Sequence, residues 1–550
     1  MKKICALLML LLLGANVARA EEFDARTVVG PSIEKLCMVI VANADAQVLA
    51  AEKGELDLLS DLARPSDIDR LSADPKLHMA LSRGFHAFFL LLNTTCEPWN
   101  DKVVRAAVAQ AVDRNSIVRG IYSGYCEPIN SWLPPVSPWA ASDSTRNIFD
   151  RDAARKKLVS AGYRYDLLGR IQSPDGKPLP KMKLLAPLAR VAPTTAELAE
   201  RLADALVAVG FDVEVEPMDF SAMVARLDRK DYSLAVLAWS MGRNPDSLYS
   251  FYHSEMDVPG GYNLTGIHDA QLDEALSRLR TAPDKAAAEK ASADAQRLLS
   301  NLVPSVPIYS RFSISAISKR WDIPRLSTDD MWTLLTARPR EAGQDTFTMA
   351  LAEEPRTLNP FTASSAYAWQ VLGTICEGLL SSDPVTLEDI PGLAGRWSVE
   401  TLGEGPSRRT VLRFTLREGL RWNDGTPLTA SDVAATIDFI RENKIPRFFD
   451  SVKDVEKVEF SGERELTVTM SNVSYWHLDR IAGLPCMPRS YLERITDWQN
   501  WDPLDQSETF GPYGLIGAGP FRILEYRQGE YVMMERNPWY FRLQRKEADS

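Results

Sequence analysis

The sequence predicts an α/β fold, because short apolar strands and amphipathic helices alternate along most of the chain. The 550 residues are 45% hydrophobic and 25% charged, as in ordinary globular proteins. At roughly 150 residues per domain, a chain of this length forms about three or four domains. A mainly disordered chain is therefore excluded.

The first half of the chain alternates strands with helices. Residues 38–41 predict a buried strand, residues 46–53 predict a helix, and residues 55–59 predict a second strand. Later patterns predict strands at 88–92, 211–216 and 233–238, a helix at 196–209, and two helical segments within 101–122. This succession is typical of a mixed sheet with covering helices.

The second half, from Thr346 onward, is richer in strands. The patterns predict strands at 410–416, 455–460, 465–470 and 521–526. Turn residues separate these strands, which favours a mostly antiparallel region with few helices. Residues 323–344, which include Pro324 and Pro339, are interpreted as a connector, and the charged tail after Phe541 is expected to fray.

The first twenty residues predict a cleavable export signal. A positively charged start and an apolar run at 4–13 precede small residues at 18–20 that suit cleavage before Glu21. A membrane anchor is the alternative, but the run is too short to cross a hydrocarbon core of about 30 Å as a helix. Cys5 lies too early to become a lipid-modified first residue. We expect a soluble periplasmic protein without a lipid anchor.

Charge and histidine content exclude two classes of partner. The net charge of -11 argues against a nucleic-acid-binding surface, which needs a basic face. The chain has five His and lacks a Cys-x-x-Cys pair, so no metal site and no cofactor are predicted.

The cysteines leave two possibilities open. Five remain after the predicted signal, and the odd number leaves at least one unpaired. Cys96 and Cys126 each begin a Cys-Glu-Pro turn, and they form the first candidate pair for a disulfide. The alternative is that all five are free thiols.

Several short sequence blocks are spread along nearly the whole chain after the signal. The second half contains EPRTLNP at 354–360, LRWNDGTPLTASDV at 420–433, GAGPF at 517–521 and RNPWY at 536–540. The first half contains GELDLL at 54–59, Asn93, VRAAVAQAVDR at 104–114 and IYS at 308–310. These blocks resemble the family 5 extracellular solute-binding proteins, the class of oligopeptide-, dipeptide- and nickel-binding receptors.

The longest block has a direct physical interpretation. Gly425 tolerates a positive φ and Pro427 fixes the next bend, so a tight turn is expected there. Thr429, just ahead of Asp432, is placed to cap the helix that carries Val433 and Ile437, and Trp422 is expected to pack against the turn.

The two halves stand in swapped order relative to the family. The blocks that the family places first, ending at 536–540, lie here at the C-terminus. A circular permutation explains this order if residues 323–344 join the former termini and the new termini fall in an exposed loop. The alternative is an erroneous fusion of the end of one binding protein with the start of its neighbour.

The resemblance implies a two-lobed periplasmic binding protein fold, type II and cluster C-like, with an accessory domain. Lobe I would comprise residues 24–95, 308–395 and 511–545; lobe II would comprise 96–307, the accessory domain 396–510, and the signal 1–20. Hinge closure of the lobes over a solute is the expected motion. The implied function is that of a monomeric receptor that delivers a solute to an ABC transporter permease in the inner membrane.

Trp239 is the first candidate for a ligand contact, because the family has a ligand-contacting Trp at this strand end; core packing is the alternative. Peptide-binding members have an Asp three residues later, where this chain has Gly242. Arg243, followed by Asn244, is placed to hold a carboxylate instead, unless it is a solvated surface residue. Asp246 is an alternative acid, although it more simply begins a helix.

Four further aromatic residues are candidates, and each has core packing as its alternative. The resemblance places two in loops that face the cleft and one after a helix that approaches the ligand in nickel-binding members, and the fourth follows a strand of the accessory domain. These candidates are Tyr367, Phe449, Trp132 and Trp476.

The predicted function is capture of a short peptide or peptide-like solute, and the sequence shows no catalytic motif. An alternative is a non-peptide solute: a metal chelate, an opine-like dicarboxylate or an oligosaccharide. A solute sensor for a membrane partner and a secreted hydrolase are further alternatives.

Overall fold

A computed structural model of the protein describes residues 23–141, 148–190, 192–324, 327–504 and 515–543. The predicted export signal and the end of the charged tail lie outside these residues. The chain divides into two compact units: unit 1 contains the residues up to Ser82 and from Ser313 onward, and unit 2 is Arg83–Phe312. Each unit combines strands with helices, which confirms the α/β class.

The strands are numbered in chain order. They are β1 Lys35–Ile40, β2 Leu58–Leu59, β3 Leu77–Leu92, β4 Cys126–Pro128, β5 Arg164–Tyr165, β6 Ile171–Gln172, β7 Met182–Pro187, β8 Val213–Met218, β9 Leu234–Ser240, β10 Ser305–Ser318, β11 Trp321–Asp322, β12 Arg338–Pro339, β13 Thr346–Leu351, β14 Leu380–Ser382, β15 Asp389–Pro391, β16 Ala394–Leu402, β17 Arg409–Leu416, β18 Val455–Ser461, β19 Glu465–Met470, β20 Phe521–Arg527 and β21 Tyr531–Arg536.

The α-helices are numbered in the same way. They are α1 Ala44–Lys53, α2 Pro65–Ser72, α3 Lys102–Ala111, α4 Arg114–Ile121, α5 Arg151–Ser160, α6 Pro193–Val207, α7 Phe220–Asp228, α8 Ser247–Tyr252, α9 Ala270–Arg280, α10 Lys285–Leu302, α11 Asp330–Thr336, α12 Ala366–Ile375, α13 Ala430–Glu442, α14 Pro446–Val452, α15 His477–Ala482 and α16 Arg489–Leu492. None of the helices in the described ranges is long and apolar enough to cross a membrane.

The main sheet of unit 1 joins the leading and trailing parts of the chain. Strand β1 pairs in parallel with β13, from Lys35 opposite Thr346 onward, and antiparallel with β21, where Lys35 lies opposite Glu535. The buried side chains of Leu36 and Met38 alternate along β1 with more exposed neighbours. The first and last strands of the described chain therefore belong to one sheet.

Asp57 connects three parts of this sheet and is only 1% exposed. Its Oδ1 accepts hydrogen bonds from Arg320 Nη2 at 2.7 Å and Nε at 3.2 Å, and its Oδ2 accepts one from the Thr348 backbone N–H at 2.9 Å. Burial raises the pKa of Asp57, whereas the Thr348 and Arg320 contacts oppose that rise. The carboxylate thus fixes the start of β2 against β13 and the segment after β10.

A smaller antiparallel sheet of order β16-β17-β19-β18 lies within unit 1, as the strand-rich second half predicts. Helix α13 packs against β18 and β19 and begins at Thr429, the predicted cap, which forms a capping box with Asp432. Gly425 has a φ of +89°, and an added Cβ would lie 3.0 Å from Trp539 Nε1. Trp422 is buried beside this turn, so the predictions for Gly425, Thr429 and Trp422 are confirmed.

Unit 2 has a sheet in which β9 pairs antiparallel with β3 and in parallel with β7, which in turn pairs with β8. The block at 104–114 contributes two buried arginines, one on α3 and one on α4. Arg105 donates to the carbonyls of Trp99, Asn100 and Leu302, and Arg114 to those of Ala109, Val112 and Pro307. Burial lowers the pKa of each to about 10. The block therefore holds backbone segments together.

Three expectations about secondary structure need correction. The segment at 323–344 contains a helix, α11, in place of an irregular connector. The strand predicted at 55–59 forms only at Leu58–Leu59, and the one predicted at 88–92 is the end of a 16-residue strand. The lobe and accessory-domain boundaries stay predictions.

The candidate disulfide is wrong, because all five cysteines after the predicted signal are free thiols. Cys96 donates a hydrogen bond from Sγ to the Asn93 carbonyl. Cys126 begins β4, which pairs with β10 opposite Arg311. The two turns thus have separate partners, and the similarity of their sequences does not bring the sulfur atoms together.

We predict that Asp57→Ala lowers the free energy of unfolding by about 2–4 kcal/mol, because three hydrogen bonds at a buried carboxylate are lost. Urea denaturation of the full chain measures this change. Asp322→Ala is the matched control, since Asp322 forms an exposed ion pair with Arg340 at 3.6 Å. The control should cost less than about 1 kcal/mol, and equal losses would contradict the role of Asp57.

Candidate functional site

Three aromatic rings lie together in unit 2 and are called the aromatic cluster: Trp239, Phe251 and Tyr262. The Trp239 and Phe251 rings stack with centroids 4.2 Å apart at 22°. Tyr262 meets both edge-on, at 6.1 Å from Trp239 and 6.3 Å from Phe251, and is 54% exposed. The cluster thus presents aromatic surface that is held by ring contacts and is open to solvent at Tyr262.

The position of Trp239 follows from the way β9 leaves the core. The four residues from Leu234 to Leu237 are buried, Ala238 is exposed and Trp239 is half-buried. Trp239 lies opposite Ala87 of β3 in an antiparallel register. The indole of Trp239 therefore lies on a paired strand at the point where that strand leaves the core. This agrees with the prediction that Trp239 stands at a strand end.

The loop after β9 has open space at Gly242 and no acidic side chain at that position. Gly242 is exposed, and an added Cβ would meet nothing within 4 Å. Arg243 and Asn244 are half-buried, and the Arg243 carbonyl accepts a hydrogen bond from Ser137 Oγ at 3.3 Å. Because Ser137 follows Trp132, two of the loops singled out in the sequence lie together in unit 2.

Asp246 is engaged by a neighbouring cation. Arg280 donates to its carboxylate from Nε at 3.2 Å and from Nη2 at 3.4 Å, and the same guanidinium lies 4.0 Å from the centre of the Tyr249 ring. Asp246 immediately precedes α8, as the helix-start interpretation predicts. Its charge is therefore compensated within unit 2.

The remaining aromatic candidates differ in exposure. Trp132 is 1% and Trp476 is 2% exposed, and Trp132 Nε1 donates to Ser305 Oγ at 3.1 Å. Tyr367 on α12 and Phe449 on α14 are half-buried in unit 1. Core packing is thus favoured for the two tryptophans, while all four remain predictions as ligand contacts.

Unit 1 contains a cavity of about 280 Å³ that the sequence did not predict. It is called the unit 1 cavity. Its lining comes from β1, β13, α11 and α12 and combines apolar with polar side chains. The lining residues are Met38, Thr328, Asp329, Asp330, Met331, Leu334, Met349, Trp369, Gln370, Gly373 and Thr374.

Asp330 is the most unusual titratable group of this cavity. Its Oδ2 accepts hydrogen bonds from Ser60 Oγ at 3.1 Å and Gln370 Nε2 at 3.4 Å. Burial, then the nearby charges of Asp329 and Asp61, raises the pKa of Asp330 to about 7. Asp330 keeps partial contact with solvent, which tempers the effect of burial.

The neighbour Asp329 has a structural task. Its Oδ1 accepts hydrogen bonds from the backbone N–H groups of Met331 at 2.9 Å and Trp332 at 3.3 Å, so it caps the start of α11. An Asp followed by an apolar run is a sequence signal that could have predicted this helix.

The sequence profile described as "Bacterial extracellular solute-binding proteins, family 5 Middle" matches residues 24–257 and 390–550, more than half of the chain. Most of the residues that line the unit 1 cavity lie outside the matched ranges.

Curated relatives match over part of their length. The chain is 28% identical over 277 residues to "Probable ABC transporter periplasmic-binding protein SapA" of Escherichia coli, covering 50% of this chain and 47% of that one. It is 24% identical over 276 residues to "Di/tripeptide-binding protein 1" of Pseudomonas aeruginosa, covering 49% of each. The chain thus spans about half the length of the curated relatives it matches.

Solved structures also resemble parts of the chain. The oligopeptide-binding protein AppA of Bacillus subtilis, in complex with a nonapeptide, is 19% identical with a TM-score of 0.47, covering 55% of this chain and 59% of that one. NikZ of Campylobacter jejuni, in complex with Ni(L-His), is 20% identical with a TM-score of 0.46, covering 54% and 60%.

We predict that Asp330 makes the stability of the protein fall as pH rises. Its pKa is higher in the folded than in the unfolded chain, so the folded state holds more protons between about pH 4 and 7. Asp330→Asn removes this titration. The melting temperature of the variant minus that of the wild type should therefore be larger at pH 8 than at pH 5.

Asp175→Asn is the control, because hydrogen bonds from Lys177 and Ser173 lower the pKa of Asp175 to about 2. That titration lies below both pH values, so the same difference in melting temperature is expected at each. A constant difference for Asp330→Asn as well would contradict the raised pKa.

Proposed function

Because this chain belongs to the bacterial extracellular solute-binding proteins of family 5, we propose that it is a periplasmic receptor of an ABC importer that captures a short peptide or peptide-like solute. The family consists of solute-binding receptors, and the relatives named above include an ABC transporter periplasmic-binding protein and a di/tripeptide-binding protein. A permease in the inner membrane is the proposed partner, and the receptor acts as a monomer without catalysis.

The aromatic cluster of unit 2 is the observation that carries this proposal. Trp239 stands at the end of a paired strand, and its ring is held by Phe251 and Tyr262. A rigid strand that ends in an aromatic residue suits a binding site, because the flat ring offers contact area at little cost in conformational entropy. Side chains of a peptide or another solute with apolar parts would pack on it.

A non-peptide solute is the second candidate, and the loop after β9 favours it. Gly242 offers no carboxylate for a peptide ammonium group, and Asp246 is already paired with Arg280. Arg243 would then serve a solute carboxylate. Another relative, 22% identical over 292 residues and matched over 52% of this chain and 50% of its own, is named "Heme-binding protein A" of Haemophilus influenzae.

The swapped order of the two halves remains a proposal of circular permutation. The pairing of β1 with β13 and with β21 supports it, because the leading and trailing parts complete one sheet. Peptide mapping of the protein purified from its native cells tests it. Peptides that span residues 323–344 support a single chain, whereas two separate products would show an erroneous fusion.

We predict that Trp239→Ala weakens binding of the captured solute by about tenfold or more, since aromatic contacts are worth roughly 1 kcal/mol beyond area burial. Native mass spectrometry of the purified protein identifies the solute, and isothermal titration calorimetry measures its affinity alongside a panel of tripeptides. Phe220→Ala is the matched control, because Phe220 is an exposed aromatic residue of unit 2 outside the cluster.

The control should bind like the wild type. Unchanged affinity of Trp239→Ala would remove the aromatic cluster from the site. A recovered solute without an amide bond would favour the non-peptide candidate, and turnover of the tripeptides would refute the receptor function.

A further inference from the structure

We propose that the unit 1 cavity binds a primary ammonium group, with the Asp330 carboxylate as its counter-ion and the Gln370 amide oxygen as a second acceptor. The inference deepens the proposed function, on which it rests for the idea that the amine belongs to a captured solute. It names an acidic contact for an amine within unit 1.

The first argument is that the Asp330 carboxylate has no cationic partner among the described residues. The hydrogen bonds of Asp330 come from the neutral groups of Ser60 and Gln370, and no described Lys, Arg or His lies within 4.0 Å of its carboxylate. The other charges that act on it, those of Asp329 and Asp61, are negative. A partly buried carboxylate in such surroundings gains from a ligand cation, since unpaired charge is costly away from water.

The second argument is that the buried amide oxygen of Gln370 receives no hydrogen bond from the described residues. Gln370 Oε1 is buried and has no hydrogen-bond partner among the described residues. The amide is oriented by its Nε2, which donates to the ionised Asp330 carboxylate at 3.4 Å, because the flipped form would place its oxygen against that carboxylate. A buried acceptor of this kind is satisfied by a ligand that donates.

A primary ammonium group matches these acceptors better than other cations. It carries three donors around a compact charge, which allows bonds to Asp330 and to Gln370 at once. A guanidinium prefers both oxygens of a carboxylate, and Oδ2 of Asp330 already accepts two hydrogen bonds. For a metal ion, the described residues offer no group of three or more His, Cys, Asp or Glu side chains.

The rest of the cavity suits the apolar part of such an amine. Met38, Met349 and Leu334 are buried side chains of its wall, and Met331 and Trp369 add further apolar surface. Methionine side chains adapt to ligands of different shape. A volume of about 280 Å³ accommodates a short alkyl or aromatic amine, or one residue of a peptide.

Isothermal titration calorimetry of the full chain with n-hexylammonium and 1-hexanol tests the proposal, because the probes differ mainly in charge. At pH 8 the wild type should bind the ammonium at least tenfold more tightly than the alcohol. Asp330→Asn should abolish that preference. Equal affinity of the wild type for both probes, or no binding of either, overturns the proposal.

Asp329→Asn is the matched charge control. It removes one negative charge at the neighbouring position, and Asn retains the capping function. The variant should keep most of the preference for n-hexylammonium. Loss of the preference in Asp329→Asn, with retention in Asp330→Asn, overturns the assignment of the counter-ion.

Gly373→Leu tests whether the probes occupy the cavity. Gly373 lies in its wall on α12, and an added Cβ would meet nothing within 4 Å. Leucine also favours a helix over glycine, so the variant should remain folded, as thermal unfolding will show. Its affinity for both probes should fall at least fivefold, and unchanged affinity places the binding elsewhere and overturns the proposal.

The pH dependence separates Asp330 from a fixed charge. Lowering the pH from 8 to 5.5 protonates a carboxyl whose pKa is near 7, so n-hexylammonium should bind more than tenfold more weakly, while 1-hexanol should change little. A preference for the ammonium that does not depend on pH overturns the role of Asp330.

One comparison distinguishes failure of this inference from failure of the receptor function. Tri-alanine and N-acetyl-tri-alanine are titrated beside the two probes. Binding of both tripeptides with equal affinity, without any preference for n-hexylammonium, overturns the ammonium site and leaves the receptor function intact. A clear preference for n-hexylammonium with no binding of any peptide supports the site and counts against a peptide receptor.

Discussion

Unit 1 depends on one main-chain constraint, namely that β1 pairs with β13 on one side and with β21 on the other. A buried strand without such partners would leave its N–H and C=O groups unsatisfied, and each would cost about 1–3 kcal/mol. The pairing also sets the face that Leu36 and Met38 present to the core. Because these strands come from both ends of the described chain, the core forms only when the leading and trailing parts fold together.

The blocks that carry the family resemblance mostly hold the backbone in place. Arg105 and Arg114 donate to main-chain carbonyls, Thr429 and Asp432 cap a helix, and Gly425 supplies a turn that approaches Trp539 closely. Each role depends on backbone geometry and not on a ligand. Such residues therefore reveal the architecture of the receptor from sequence while leaving its solute undetermined.

The sequence predictions are accurate where an element depends on residues that are near in the chain, and they fail where it depends on distant ones. The alternation at 465–470 predicted β19 at both ends, since its partners β17 and β18 are near in the chain. Helix α11 was not predicted because it is only seven residues long and lies between Pro324 and Pro339, although Asp329 caps its start. The cavity was not predicted because β1 lies far in sequence from α11, β13 and α12, and no local pattern shows that these elements meet.

The charge that a site offers to a ligand is what remains after its own contacts are made. Asp57 is held by Arg320 and Asp246 by Arg280, so neither carboxylate has an uncompensated charge. Asp330 accepts bonds from neutral groups only, and its attraction for a cation is not yet satisfied. The proposed preference of unit 1 for an amine therefore rests on the carboxylate of Asp330.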